Sequence, residues 1–288
     1  MNRRIRVVTD SASDLPAEIA QRGGIKVLPL HFSLEGLAYR DDGTLTPSWF
    51  YQRLARSREL PQTAAPGVGE ILALYEELVA EGAEDIIALF LANSLSSTRA
   101  NAQLAARELG GARVHLWESG QISMGLGVLA QAVAGALAQG ATVAEAQQLV
   151  TALRRRTYVL GVLDTLEYLR RSGRVSWAKS QLGQWLNIKP LIVFHAGEAR
   201  LLGRVRTHQQ ARKWLLRQVA EAGTLERLVL LHSALPEANW RALQAEMSPY
   251  APGGKLPVVE AGPVFGTHVG PGGMGVALIL AEGAQRHW

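Results

Sequence analysis

Short apolar runs alternate with longer stretches of three- and four-residue periodicity along most of this chain. Residues 5–9, IRVVT, predict a buried strand, and Ser13 or Asp14 is placed to cap the helix after it, with Pro16 and Glu18 in its first turn. Residues 25–30, IKVLPL, predict a second strand. A polar, turn-rich stretch from Glu35 to Thr46 centres on Asp41-Asp42-Gly43, and Thr46 or Ser48 then caps a helix running to about Ser57. Ile71, Leu72, Leu74, Tyr75 and Leu78 form an apolar face, which predicts a helix over 66–81. Strands at 85–91 and 113–117 flank an Ala-rich helix at 97–109, and helices at 122–138 and 143–156 follow. Strand and helix in regular alternation imply a largely parallel, Rossmann-like sheet flanked by helices.

The pattern changes near residue 155. A strand at 158–162 leads into a helix ending at Arg170, the glycine turn RSGRVS and a helical piece from Trp177 to Leu186. Strands at 191–195 and 201–205, a helix at 208–222, a strand at 228–232 and a helix at 236–247 come next. Strands at 258–261 and 276–280 close the chain around a loop, GPVFGTHVGPGG. The expected architecture is α/β in two domains: 1–154 with the parallel sheet, and 155–288 with a mixed sheet.

Composition narrows the chemistry. The 288 residues are 48% hydrophobic and 19% charged, as in an ordinary globule, and contain no cysteine. A thiolate zinc site, an iron–sulfur cluster and a cysteine nucleophile are thereby excluded. Thirty basic against 25 acidic residues is a small, scattered excess, and few aromatics are interleaved with it, which argues against nucleic acid as a partner. The histidines are widely separated, so no metal spacing is apparent. Residues 122–138 are apolar but short for a membrane span and rich in Gly and Ala, which favours a buried helix over an integral membrane segment. With no secretion signal at the N-terminus, the expected location is cytoplasmic.

Several segments carry candidate chemistry. TDSASD at 9–14 follows the first strand, where ligands of open α/β sheets bind, and capping does not account for Asp10 and Ser11. Thr63 stands just before a predicted helix start, where free N–H groups favour an anion. NSLSSTRAN at 93–101 has more hydroxyls than one cap requires; Ser94 and Ser96 are available to a ligand. It lacks GxSxG, so donation to a carboxylate or phosphate fits better than nucleophilic catalysis. The glycines of ESGQISMGLG at 118–127 suit close helix packing or an open groove, and Arg174 after its glycine turn is within reach of an anion. The most specific segment is GPVFGTHVGPGGMG at 262–275, where six glycines and two prolines surround His268. It is not a P-loop, for no Gly-Lys-Ser/Thr ends it.

In this order, TDSASDLP (9–16), SLSST (94–98), SMGLG (123–127), YLRRSGRVS (168–176) and GPVFGTHVGPGG (262–273) resemble the DegV family of bacterial fatty-acid-binding proteins, over nearly the whole chain. The resemblance implies two α/β domains with a lipid site between them and no catalytic residue, metal or cofactor. It implies a long-chain fatty acid of the palmitate, stearate or oleate type as ligand, its carboxylate held by Thr63, Ser96 and His268. Asp10, Ser11, Ser94, Arg174, Gly266 and Thr267 are further candidate contacts of ligand or partner. The implied partner is a separate ATP-dependent fatty acid kinase that makes acyl phosphate for phospholipid synthesis, with Arg174 near the phosphoryl-transfer surface. Departures from the family pattern fall at Ala64, Ala65, Gly67, Ala92, Asn93, Ser97 and Glu118. Two other readings stand beside it: a stand-alone phosphotransferase or hydrolase using Asp10 and His268, and a lipid-responsive regulatory protein without kinase coupling.

Overall fold

The computed structural model describes residues 4–57, 59–179, 188–284, 286 and 288. In chain order the elements are β1 (Ile5–Asp10), α1 (Ala17–Arg22), β2 (Ile25–Leu28), β3 (His31–Leu34), β4 (Leu37–Arg40), α2 (Pro47–Leu54), β5 (Gln62–Ala64), α3 (Val68–Ala80), β6 (Asp85–Phe90), α4 (Thr98–Glu108), β7 (Arg113–Glu118), α5 (Ser123–Ala138) and α6 (Val143–Arg154). There follow β8 (Thr157–Val162), α7 (Glu167–Ser172), α8 (Ser176–Lys179), β9 (Lys189–His195), β10 (Glu198–Val205), α9 (His208–Glu221), β11 (Leu225–Ser233), α10 (Glu237–Met247), β12 (Val258–Glu260), α11 (Pro263–Val269) and β13 (Gly273–Leu280). Of the helix expected from Trp177 to Leu186, α8 covers residues 177–179; residues 180–186, like His287 and Arg3, lie outside the described residues.

Two large sheets organise the fold. The first, ordered β2-β1-β6-β7, is parallel throughout and uses strands before residue 119. Its central strand DIIALF is buried at every position, as a strand covered on both faces must be. The second, ordered β10-β9-β8-β13-β11-β12, is mixed: all its pairs are antiparallel except β11 with β12. In β8 the side chains alternate strictly between two environments. Tyr158, Leu160 and Val162 join a core with α9 residues Ala211, Leu215 and Val219, while Val159 faces a core shared with Met124 and Val128 of α5. Helix α5 is buried along most of its length and touches β1 on one side and β8, β11 and β13 on the other, so it joins the two sheets. Gly125 and Gly127 permit this, since a Cβ at Gly127 would lie 2.9 Å from Ser13 O.

Two features depart from the expectation. The turn-rich stretch after β2 contains a small antiparallel sheet, β4-β3-β5, which places Thr63 on a strand opposite Phe32 rather than at a helix start. The segment read as a loop around His268 is the helix α11, with Pro263 at its first position and Gly262 before it. Gly266, a candidate contact, faces α2 instead: a Cβ there would meet Tyr51 Oη at 2.6 Å and Phe50 Cε1 at 2.9 Å. Both rings are buried and cannot yield. Gly266→Ala is therefore expected to destabilise the protein by about 1–3 kcal/mol through overpacking, lowering the thermal midpoint by about 3–10 °C in calorimetry.

Candidate ligand cavity and its polar end

Where the C-terminal ends of β1 and β6 approach the face of the second sheet, a cavity of about 350 Å³ opens. Its wall is mostly apolar: Leu30 and Leu91 from the first half, Ile122 at the start of α5, Val159 and Gly161 of β8, Ile192 and Phe194 of β9, and Val264, Phe265 and Val269 of α11. The period of two in β8 and β9 and the turn spacing in α11 put these residues on one side of their elements. Such a volume is at the lower end of small-molecule sites. Sequence periodicity offered no way to separate these aliphatics from ordinary core.

One end is polar, and there the structure brings together Thr63, Ser96, His268 and Arg174. Thr63 Oγ1 and His268 Nε2 lie 2.9 Å apart across 205 residues of sequence. Burial, with the Arg174 guanidinium adding to it, pushes the imidazole down to about 4, so the ring is neutral at neutral pH. The pair then keeps one free donor in either tautomer. If Thr63 donates to Nε2, the Nδ1–H is free; if Nε2–H donates, the Thr63 hydroxyl is free. His268 Nδ1 is buried and has no partner among the described residues. Ser96 Oγ accepts from Thr98 N at 3.2 Å and shares a hydrogen with Thr98 Oγ1 at 2.8 Å, so it also serves the start of α4. Arg174 is exposed; its Nε donates to Leu95 O and its Nη1 to Ser172 O. It lines the mouth together with Ser97 and the departure residues Ala64 and Ala65. Outside this mouth a polar vestibule of about 810 Å³ is bounded by Gln62, Thr63, Tyr168, Arg171, Arg174, Thr267 and His268 among others.

The remaining candidates do not line the cavity, though Thr267 borders the vestibule. Ser94 Oγ donates to Gly197 O at 2.5 Å and ties the β6–α4 loop to the β9–β10 turn. Thr267 donates to Pro263 O within α11. Ser11 Oγ accepts from Leu30 N. Glu118 accepts from Asn93 N and Gly120 N. Asp10 is fully buried, accepts from Leu91 N at 2.8 Å and does not line the cavity that His268 lines.

Ser13 or Asp14 was expected to cap the first helix, and neither does. Asp14 is buried instead, accepting from Ser123 Oγ at 2.5 Å and from Gly262 N at 2.8 Å, while α1 starts after Pro16 without a side-chain cap. Asp41 accepts from the Ser11 hydroxyl and the Val264 N–H. These acids sit behind the first turn of α11, and sequence reasoning missed their role. Among the described residues no group of three or more His, Asp or Glu is arranged to hold a metal, and no helix is long and apolar enough to cross a membrane.

Burial pushes the carboxyls of Asp10 and Asp14 up to about 7 and that of Asp41 up to about 6. Their unfolded counterparts ionise near 4. The stability they contribute is therefore complete below about pH 4 and is lost as pH rises through 6–7. Denaturant unfolding between pH 5 and 8 should show stability falling with pH more steeply in the wild type than in Asp10→Asn; equal slopes would show that Asp10 is not held protonated.

The family model described as "Uncharacterised protein, DegV family" matches residues 4–281. A DegV domain-containing protein of Streptomyces coelicolor is 34% identical over 284 residues, covering 96% of this chain and 99% of its own. Among solved structures, a DegV family protein from Thermus thermophilus described by its fatty acid binding superposes with a TM-score of 0.86 at 32% identity, covering 96% of this chain and 99% of that one. DegV of Bacillus subtilis, described as a fatty acid binding protein, gives 0.85 at 25% identity over 96% and 99%.

Proposed function

Because the chain belongs to the DegV family, we propose that it binds one long-chain fatty acid, of the palmitate, stearate or oleate type, with the acyl chain in the apolar cavity and the carboxylate at Thr63, Ser96 and His268. The observation that carries this reading is the Thr63–His268 pair, with its one free donor, set at the polar end of an otherwise apolar cavity. The fatty acid binding described for the Thermus and Bacillus relatives supports the same ligand class. An acyl chain of about sixteen carbons gains at most about 12 kcal/mol, at ~0.8 kcal/mol per CH₂, before the costs of association. The chain supplies affinity, and the donors choose an acid over an ester or alcohol. The parallel order β2-β1-β6-β7 supports reading residues 1–154 as a Rossmann-like domain, with 155–288 as the second domain and the lipid between them.

We further propose that the protein is a cytoplasmic carrier rather than an enzyme, and that it presents the carboxylate to a separate ATP-dependent fatty acid kinase supplying phospholipid synthesis. The vestibule supports this: Thr63, His268 and Arg174 line both it and the cavity, so the polar end faces outward. A stand-alone hydrolase or phosphotransferase built on Asp10 and His268 finds no support in a site that Asp10 does not line.

Denaturing extraction of the purified protein followed by mass spectrometry should release a long-chain fatty acid; no acyl species, together with no uptake of added palmitate or oleate, refutes the reading. Each hydroxyl should contribute roughly 0.5–1.5 kcal/mol, or somewhat more to a charged acceptor. Thr63→Val and Ser96→Ala should thus weaken binding of the acid about 3- to 30-fold and shrink its advantage over the methyl ester. An unchanged acid-to-ester ratio in both variants removes these hydroxyls from the clamp. Arg174→Ala should leave lipid affinity intact and slow acyl phosphate formation when kinase is added; equal turnover excludes Arg174 from that step.

A further inference from the structure

A second, smaller space adjoins the acyl cavity on its α11 side. Its volume is about 50 Å³, and Val159, Gly161, Leu163, Phe265 and Val269 line both spaces. From them it extends between α11 and the strands β8, β13 and β11 as far as Leu231 and Gly275. One water occupies about 30 Å³ of liquid, so this space suits roughly one or two methylene groups. The Ser233 hydroxyl at its edge already accepts from Gly273 N.

Gly161 and Gly275 are partners in register across β8 and β13, and they are glycines for different reasons. A Cβ at Gly275 would meet Leu160 O at 2.5 Å and Gly161 Cα at 3.3 Å, so the neighbouring strand forbids a side chain there. A Cβ at Gly161 would meet nothing nearer than Met274 O at 3.9 Å. Strand interiors disfavour glycine unless a backbone or a ligand comes close. Among the described residues no atom claims the room beside Gly161, and the missing side chain leaves a passage between the two spaces. Phe265, half-buried on the opposite wall, bounds that passage from α11.

We propose that Gly161 and Phe265 set acyl-chain shape specificity: the passage at Gly161 receives the bend of a cis-unsaturated chain, and Phe265 limits how much of the chain enters. The proposal rests on the fatty-acid reading above. A straight saturated chain lies in the main cavity alone and gains nothing from the smaller space, whereas a bent chain buries roughly one or two more methylene groups.

The test is titration of stearate and oleate, which have equal carbon numbers, into lipid-extracted wild type and Gly161→Val. Valine suits a strand and places its methyl groups in the passage. Wild type should prefer oleate, and the variant should lose about five- to tenfold of that preference, read as the oleate-to-stearate affinity ratio. If both acids bind and the ratio is the same in the two proteins, or if wild type does not prefer oleate, the proposal is overturned. If neither acid binds wild type, the fatty-acid reading itself fails, and the two failures are thus distinguishable. Should Gly161→Val not fold, Phe265→Leu widens the passage from the other wall and should raise the oleate-to-stearate ratio; an unchanged ratio overturns the proposal equally.

Discussion

A seven-residue helix does not hold itself together in water, because nucleation costs more than so few hydrogen bonds return. The helix α11, Pro263–Val269, is of that length, so its place depends on groups outside it. Asp14 accepts from Gly262 N, Asp41 from Val264 N–H, and the Tyr51 hydroxyl donates to Ala261 O at 3.0 Å. The first two satisfy N–H groups that a helix start leaves open, and all three come from the first fifty-one residues. This anchoring fixes Val264, Phe265, His268 and Val269 together. The apolar wall and the polar end therefore move as one piece, and the Thr63–His268 contact is a consequence of how the helix begins.

The cavity requires a frame that does not collapse into it, since protein interiors otherwise close-pack. That frame is supplied by cores lying elsewhere. The second sheet is pinned from its far side by α9 and α10, with Leu215, Val219, Leu243 and Met247 buried against it. The first sheet is pinned by α3 and α4 through Ile71, Tyr75 and Ala102. Each sheet thus has a core on the side away from the cavity.

The larger elements were legible because buried parallel strands read as unbroken apolar runs and helices as threefold and fourfold spacing; IRVVT and DIIALF needed nothing more. The strands β3, β4 and β5 were not, being three or four residues long and half polar. For α11, glycines and prolines spoke for a loop, and the carboxyls that stabilise the helix are more than 200 residues away in sequence. The dipeptide Asp41-Asp42 shows the same limit. Asp42 does hold the turn, accepting from Thr44 N and Oγ1, while its neighbour turns inward to α11, and local pattern does not distinguish the two. Local pattern marked Thr63, Ser96 and His268 one at a time; family resemblance joined them into one site, for nothing local connects residues so far apart.

Strand β8 separates a core from a cavity with a single thickness of chain. Tyr158, Leu160 and Val162 fill one side, and Val159 and Gly161 border the other. Shifting a strand by one residue exchanges its two faces. In most sheets such an exchange trades buried residues for solvated ones; here it would drive large side chains into the ligand space and leave the core with a glycine. Insertions or deletions in β8 therefore have no mild form, and length variation among descendants of this chain should be confined to the segments that flank the strand.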